Sequence, residues 1–231
     1  MDRAIIIGDV HGCYFELRAL LEELGLRPSD RLFFVGDLIT EGPANREVLD
    51  FVRATRHCAS VLGNSELALL RFWRGRNLSL TRPQLQVMAA LGDAFPRYME
   101  WVAGFPRLIE TSDFIVVHAG LRPGVALDKQ KVDDLTHLRV LEDSGIPWFD
   151  QYDGKTAVFG HWVFDTPVWR KSAIGIDTGC VYGNSLSAVI LPERRMVSVP
   201  AVKAYFRREE GSAGQHENVR QAPVCRAPLH C

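Results

Sequence analysis

Two aspartates, three histidines and an asparagine fall where they could share metal ions. Asp9 and His11 stand one residue apart in Gly8-Asp9-Val10-His11-Gly12, so on an extended segment both side chains face the same way. Asp37 follows in Gly36-Asp37, Asn64 in Gly63-Asn64, His118 in His118-Ala119-Gly120 and His161 in Gly160-His161. Carboxylates, imidazoles and one amide carbonyl make a mixed oxygen and nitrogen donor set that suits Mn²⁺, Fe or Zn. Asp37 could bridge two ions, with Asn64, His118 and His161 completing the shell of the second. Two ions ~3.5–4 Å apart clamp a phosphoryl group and activate water for in-line attack.

A single Gly-Asp turn or a single histidine would be ordinary loop polarity. These residues are not isolated, because each follows a short apolar run. Ala4-Ile5-Ile6-Ile7, Leu32-Phe33-Phe34-Val35, Ser60-Val61-Leu62, Phe114-Ile115-Val116-Val117 and Ala157-Val158-Phe159 lead into them, and Ile174-Gly175-Ile176 leads into Asp177-Thr178-Gly179. Continuous β-branched and aromatic runs of this length predict buried strands, and the carboxyl ends of such strands are where α/β folds collect ligands.

Helical spacing lies between the strands. It covers Tyr14 to Leu24, Pro43 to Arg56, Ser65 to Trp73 and a longer stretch from Thr81 to Phe105. The insert over about residues 72–108 breaks the strand rhythm and reads either as a cap over the strand ends or as ordinary packing helices. Leu186 to Leu191 and Met196 to Val199 flank Pro192-Glu193-Arg194-Arg195 as a hairpin. One domain over 1–206 is expected, followed by a polar tail over 207–231 that predicts disorder.

Composition narrows the class. The 231 residues are 47% hydrophobic, enough for a sizeable core, and the net charge of -1 gives no global basic field for DNA. No apolar run approaches the ~18 residues of a membrane span, and the N-terminal run is too short for a signal peptide. Five scattered cysteines without a CxxC pair fit reduced thiols, hence a cytoplasmic protein with neither a membrane nor a DNA partner. Cys13 and Cys180 read as packing thiols, and His57, His137, His216 and His230 as surface residues. Arg71, Arg74 and Arg76 read as a solvated helix end, and Trp162 and Trp169 as packing residues or base-stacking platforms.

The motifs Gly8-Asp9-Val10-His11-Gly12, Gly36-Asp37, Gly63-Asn64, His118-Ala119-Gly120 and Gly160-His161, in this order over about residues 4–200, resemble those of the calcineurin-like metallophosphoesterases of the phosphoprotein-phosphatase type. Asp177-Thr178-Gly179-Cys180-Val181-Tyr182-Gly183 looks like the bacterial symmetrical diadenosine tetraphosphatase branch and its relatives. The resemblance implies an α/β fold with a central β-sandwich flanked by helices on both sides. It also implies two divalent ions, Mn²⁺ first among them. Asp9 and His11 would hold one ion, Asn64, His118 and His161 the other, with Asp37 bridging and Arg139 binding phosphate. The implied reaction is hydrolysis of a phosphate ester or phosphoanhydride in a phosphorylated small molecule, a nucleoside polyphosphate or a phosphoprotein.

Three positions depart from the pattern. Where the family continues Gly-Asp-x-x-Asp-Arg-Gly, this chain has Thr40 and Glu41, and where Gly-Asn-His is usual it has Ser65. The family histidine donates a proton to the leaving oxygen, and a serine hydroxyl has no suitable pKa for that work. The acid is therefore unassigned, with Ser65 at its position. Glu41 puts an anion where a cation would meet phosphate, unless it turns aside onto a cation such as Arg46. One consequence is a preference for good leaving groups such as nucleotide phosphates. The other is a catalytically impaired sensor or interaction module that binds metal and phosphate.

Overall fold

Alternation along the strands sorts the core into layers. In β1 (Ala4–Ile7), Ile5 and Ile7 join the packing against the helices, while Ala4 and Ile6 join the packing between two sheets. The computed structural model describes residues 3–207, so the segment expected to be a disordered tail, with His216, Cys225, His230 and Cys231, lies outside the described residues from 208 onward.

From β1 the chain runs through α1 (Tyr14–Leu24), β2 (Arg31–Phe34), α2 (Asn45–Ala54), β3 (Cys58–Ser60) and α3 (Asn64–Trp73). α4 (Arg82–Leu91), α5 (Phe95–Val102), β4 (Leu108–Glu110), β5 (Phe114–Val117), α6 (Val132–His137) and α7 (Trp148–Gln151) follow. β6 (Thr156–Phe159), β7 (Val168–Trp169), β8 (Ala173–Gly175), β9 (Ser185–Leu191) and β10 (Arg195–Pro200) complete it.

The first sheet has the order β10-β9-β1-β2-β3 and the second β4-β5-β6-β8-β7. β1, β2 and β3 pair in parallel, as do β5, β6 and β8, whereas β9 and β10 and the edge strands β4 and β7 pair antiparallel. Parallel pairing puts the carboxyl ends of β1, β2 and β3 on one rim, and those of β5, β6 and β8 likewise. Ile6, Phe33, Val116, Val158 and Ile174 fill the space between the sheets. Leu17, Leu20, Val48, Leu49 and Leu69 cover the outer face of the first sheet, and Leu135, Trp148 and Phe149 that of the second. The architecture is a β-sandwich with helices on both sides.

The helical stretch from Thr81 to Phe105 resolves into two helices. Thr81 and Gln84 form a capping box at the start of α4, and Gly92, at φ 53°, ends it before a short 3₁₀ turn leads into α5. Val87, Leu91, Phe95, Met99 and Val102 are buried in the same core layer as α2 and α3, and α4 packs on α2 and α5 on α3. The β3 strand ends at Ser60, the first residue of the run that signals it in the sequence and two residues short of that run's end. Among the described residues, no helix is long and apolar enough to cross a membrane.

Candidate metal centre

The six candidate ligands meet at the carboxyl rim. Asp9 and His11 follow β1, Asp37 follows β2, Asn64 follows β3 as the first residue of α3, His118 follows β5 and His161 follows β6. Donor atoms of Asp9, Asp37 and His118, all buried, lie within 4.8 Å of one another. Asp37 stands between two imidazoles, with Oδ2 3.5 Å from His11 Nε2 and Oδ1 3.6 Å from His118 Nε2.

The ring orientations suit metal ligation. His118 donates its Nδ1 proton to the Val35 carbonyl at 2.9 Å, so its Nε2 lone pair faces the centre. Asn64 Oδ1 lies 2.8 Å from that nitrogen. Burial lowers the His118 pKa, which keeps Nε2 unprotonated, so two electron donors face each other with no proton between them. A cation resolves that arrangement. His11 Nδ1 likewise donates to the Ile39 carbonyl at 3.2 Å and lies 3.1 Å from Thr40 Oγ1, which turns Nε2 toward Asp37.

The electrostatics agree. Burial, followed by the charges of Asp177 and Asp37, pushes the Asp9 carboxyl well above its usual range. Burial opposes protonation of His11, but the anions Asp37, Glu41 and Asp177 outweigh it and raise its pKa. Burial, then His118 and Arg139, holds the His161 pKa well down. Buried carboxyl groups crowded together, beside the His118 and His161 imidazoles whose pKa values are lowered, are a poor arrangement without a divalent ion and a good one with it. The residues present therefore fit the ions that the donor set calls for.

Backbone geometry supports the same reading. His11, Asp37, Thr40, Glu41 and His161 are five of the seven described non-glycine residues at positive φ, so strain is concentrated at this rim. Glycines permit the close approach. A Cβ at Gly160 would overlap Asp9 Oδ1, and one at Gly63 would overlap Asp37 Oδ1. The His161 main-chain N–H points at both Asp9 oxygens, at 3.1 and 3.3 Å, and its ring lies 5.0 Å from that of His118.

The remaining positions are equally specific. Arg139 is exposed and donates from Nη2 to the His161 carbonyl at 3.0 Å, which sets its guanidinium at the rim. Thr40 Oγ1 donates to Ser65 Oγ at 3.1 Å, so these two side chains touch each other. The Ser65 N–H also holds Asp37 Oδ1 at 2.9 Å. Glu41 does not pair with Arg46, whose guanidinium donates instead to the carbonyls of Ala90 and Leu91. Glu41 Oε2 is buried without a hydrogen-bond partner, and the carboxylate acts on His11.

Several contributors were not assigned from sequence. Glu66 accepts N–H groups from Asp37, Leu38, Ile39 and Gly63 at 2.8–3.3 Å. Its place in the first turn of an apolar helix was the available signal. Asp177, read from sequence as a strand-end residue and part of a motif but given no role, brings a buried negative charge to Asp9 and His11. His137 is exposed, as expected, yet its ring lies 6.0 Å from that of His161. Arg71 pairs with Asp133 at 2.9 Å, and Trp162 stacks on Phe164 at 5.8 Å between centroids, so both have structural partners. Cys13 and Cys180 are buried.

Comparisons with known proteins follow the same line. The family model of the calcineurin-like phosphoesterases matches residues 3–194. The asymmetrical bis(5'-nucleosyl)-tetraphosphatase PrpE of Anoxybacillus flavithermus is 31% identical over 87% of this chain and 95% of its own length. The symmetrical bis(5'-nucleosyl)-tetraphosphatase of Vibrio cholerae is 27% identical over 86% of this chain and 98% of its own. Among solved structures, a protein described as a candidate diadenosine tetraphosphatase superposes with a TM-score of 0.75 at 32% identity, covering 87% of this chain and 94% of that one. The chain belongs to the calcineurin-like phosphoesterase family.

Proposed function

We propose that the chain is a two-metal phosphoesterase acting on a nucleoside polyphosphate, with Mn²⁺ as the first ion to test and Fe or Zn as alternatives. The observation that carries this reading is Asp37, whose two oxygens lie 3.5 Å from His11 Nε2 and 3.6 Å from His118 Nε2. One carboxylate is thus shared between two groups of donors. Asp9 and His11 would hold the first ion, and Asn64, His118 and His161 the second. Residues 1–206 would act as one domain, with 72–108 as its helical insert, in the cytoplasm.

Divalent ions bound there supply Lewis-acid activation of a phosphoryl group and of water. The chain's own residues do the rest. Val35 and Ile39 carbonyls fix the two ring tautomers, and the Ser65 and His161 main-chain N–H groups aim the Asp37 and Asp9 oxygens. Arg139 orients a phosphoryl oxygen through charge-assisted hydrogen bonds. The Thr40–Ser65 hydroxyl pair offers no group with a pKa near neutrality, so departure of the leaving group goes unassisted there. That penalises alkyl phosphates, including phosphoserine in proteins, and spares anhydrides, whose leaving phosphate needs little protonation. The tetraphosphatase names of the relatives support the same substrate class.

A second reading rests on Glu41. At an effective dielectric of ~20, two unit charges 4 Å apart interact by ~4 kcal/mol, so an anion beside His11 opposes phosphate entry. In this reading the site binds metal and phosphate as a sensor or interaction module and turns over poorly. Mn²⁺-dependent hydrolysis of diadenosine tetraphosphate separates the two. We expect turnover in the natural chain, with loss of both turnover and metal occupancy in Asp37→Asn. Metal binding without turnover favours the second reading, and unchanged occupancy in Asp37→Asn removes the bridging role.

A further inference from the structure

A second cluster of donor atoms lies outside the centre just described. Cys13 precedes α1, Glu16 sits in its first turn, and Cys180 opens the 3₁₀ turn Cys180–Tyr182. Both sulfurs and a Glu16 carboxylate oxygen lie within 4.8 Å of one another. The three residues are 0%, 1% and 2% exposed in the order Cys13, Glu16, Cys180. Glu16 Oε1 accepts the Val202 N–H at 3.0 Å and the Tyr205 O–H at 2.9 Å, whereas Oε2 is buried with no hydrogen-bond partner. Packing accounts for two buried thiols. It does not account for an ionisable side chain beside them with one oxygen unsatisfied, since burying such an atom without a partner is costly.

We propose that Cys13, Glu16 and Cys180 bind one thiophilic divalent cation of the Zn²⁺ class, separate from the Asp9–Asp37–His118 centre. Zinc takes cysteine sulfur at ~2.3 Å and carboxylate oxygen at ~2.0–2.2 Å, which places tetrahedral ligand atoms ~3.5–3.8 Å apart. As the ion enters, two S–H bonds break and release two protons, and two metal–thiolate bonds and one metal–carboxylate bond form. No electrons are transferred. The ion joins the start of α1 to the turn after Asp177 and, through Glu16, to the segment that carries Val202 and Tyr205. Sulfur donors also separate this cluster from the oxygen- and nitrogen-donor centre at the rim.

Cobalt titration tests the proposal, because thiolate–Co²⁺ charge transfer gives a near-ultraviolet band that oxygen and nitrogen ligands do not. The full chain carries C58S, C225S and C231S, which leaves Cys13 and Cys180 as its cysteines. The expected result is a charge-transfer band that saturates at one Co²⁺ per chain and is bleached by Zn²⁺. It persists in D37N, disappears in C13S and in C180S tested separately, and needs at least tenfold more Co²⁺ in E16Q. Absence of the band in the parent chain, or its persistence in either C13S or C180S, overturns the proposal. The parent titration decides the matter even if a cysteine variant fails to fold.

Discussion

The two halves of the candidate centre are built to different standards. On the first sheet, the loops after β1, β2 and β3 carry Asp9, His11, Asp37 and Asn64, and Glu66 secures two of those loops through four main-chain N–H groups. On the second sheet, His118 is fully buried and keyed by Val35, but His161 is only half-buried and Arg139 is exposed beside it. The contrast separates tasks. In the proposed reaction the first half would fix ligand positions where small errors weaken metal binding, and the second half would leave charge accessible to an incoming phosphate.

The strongest way to break this contrast is at Glu66. Glu66→Ala leaves buried N–H groups without acceptors, and we expect a loss of about 4 kcal/mol or more in unfolding free energy, together with lost metal binding. Chemical denaturation measures it, and a loss below about 1 kcal/mol would show that the first half is not held this way. Arg139→Ala should do the opposite. Stability should stay within about 0.5 kcal/mol, while kcat/KM falls ~10²-fold as a charge-assisted contact to phosphate is lost. Equal loss of stability would make Arg139 part of the frame.

The Thr40–Ser65 contact sharpens the comparison further. Ser65→His with Thr40→Asp should raise turnover of an alkyl phosphomonoester by about 10²-fold and of an anhydride by much less. Ser65→His alone should gain less than the pair, because the two side chains touch and their effects are coupled. Additive single effects would argue against a shared role.

The smallest effect is on stability against pH. Burial and then Asp37 push the Glu66 carboxyl from 4.5 up to about 7, and burial with Asp177 and Asp37 raises Asp9 above 3.8. Raised acids stabilise the fold below their unfolded values and lose that contribution as pH climbs through the folded values. Metal-stripped protein should therefore lose the Glu66 and Asp9 contribution between pH 5 and pH 8, against an opposite contribution from His118 and His161, whose lowered values cost stability as pH falls below 6.5. Mn²⁺, by neutralising the anions, should raise the melting midpoint more at pH 8. An equal metal-induced gain at both pH values would contradict the crowding of Asp9, Asp37 and Glu66.

Most of the rim is legible in the sequence for a local reason. Ala4–Ile7 and Phe114–Val117 are short apolar runs that stop at a glycine or a ligand, so strand and functional residue announce each other. The two-strand edges were less visible. Leu108–Glu110 and Val168–Trp169 are too short and too mixed in polarity to stand out, and they form only by pairing with β5 and β8. Relations across distant segments were not readable at all. The acceptance of Leu38 N–H by Glu66 spans 28 residues, and that of His161 N–H by Asp9 spans 152. Glu41 illustrates the same limit, because Arg46 is close in sequence yet committed to α4 carbonyls.

Glu66 fastens peptide groups and leaves the side chains of the same loops free. A residue in those loops can therefore change identity without the loop losing its path. The hydroxyl pair at positions 40 and 65, and the carboxylate at 41, belong to side chains that the Glu66 clamp does not hold. Side-chain chemistry and loop shape are thus carried by different atoms of the same few residues. A change of side chain at positions 40, 41 or 65 would leave those four main-chain hydrogen bonds in place.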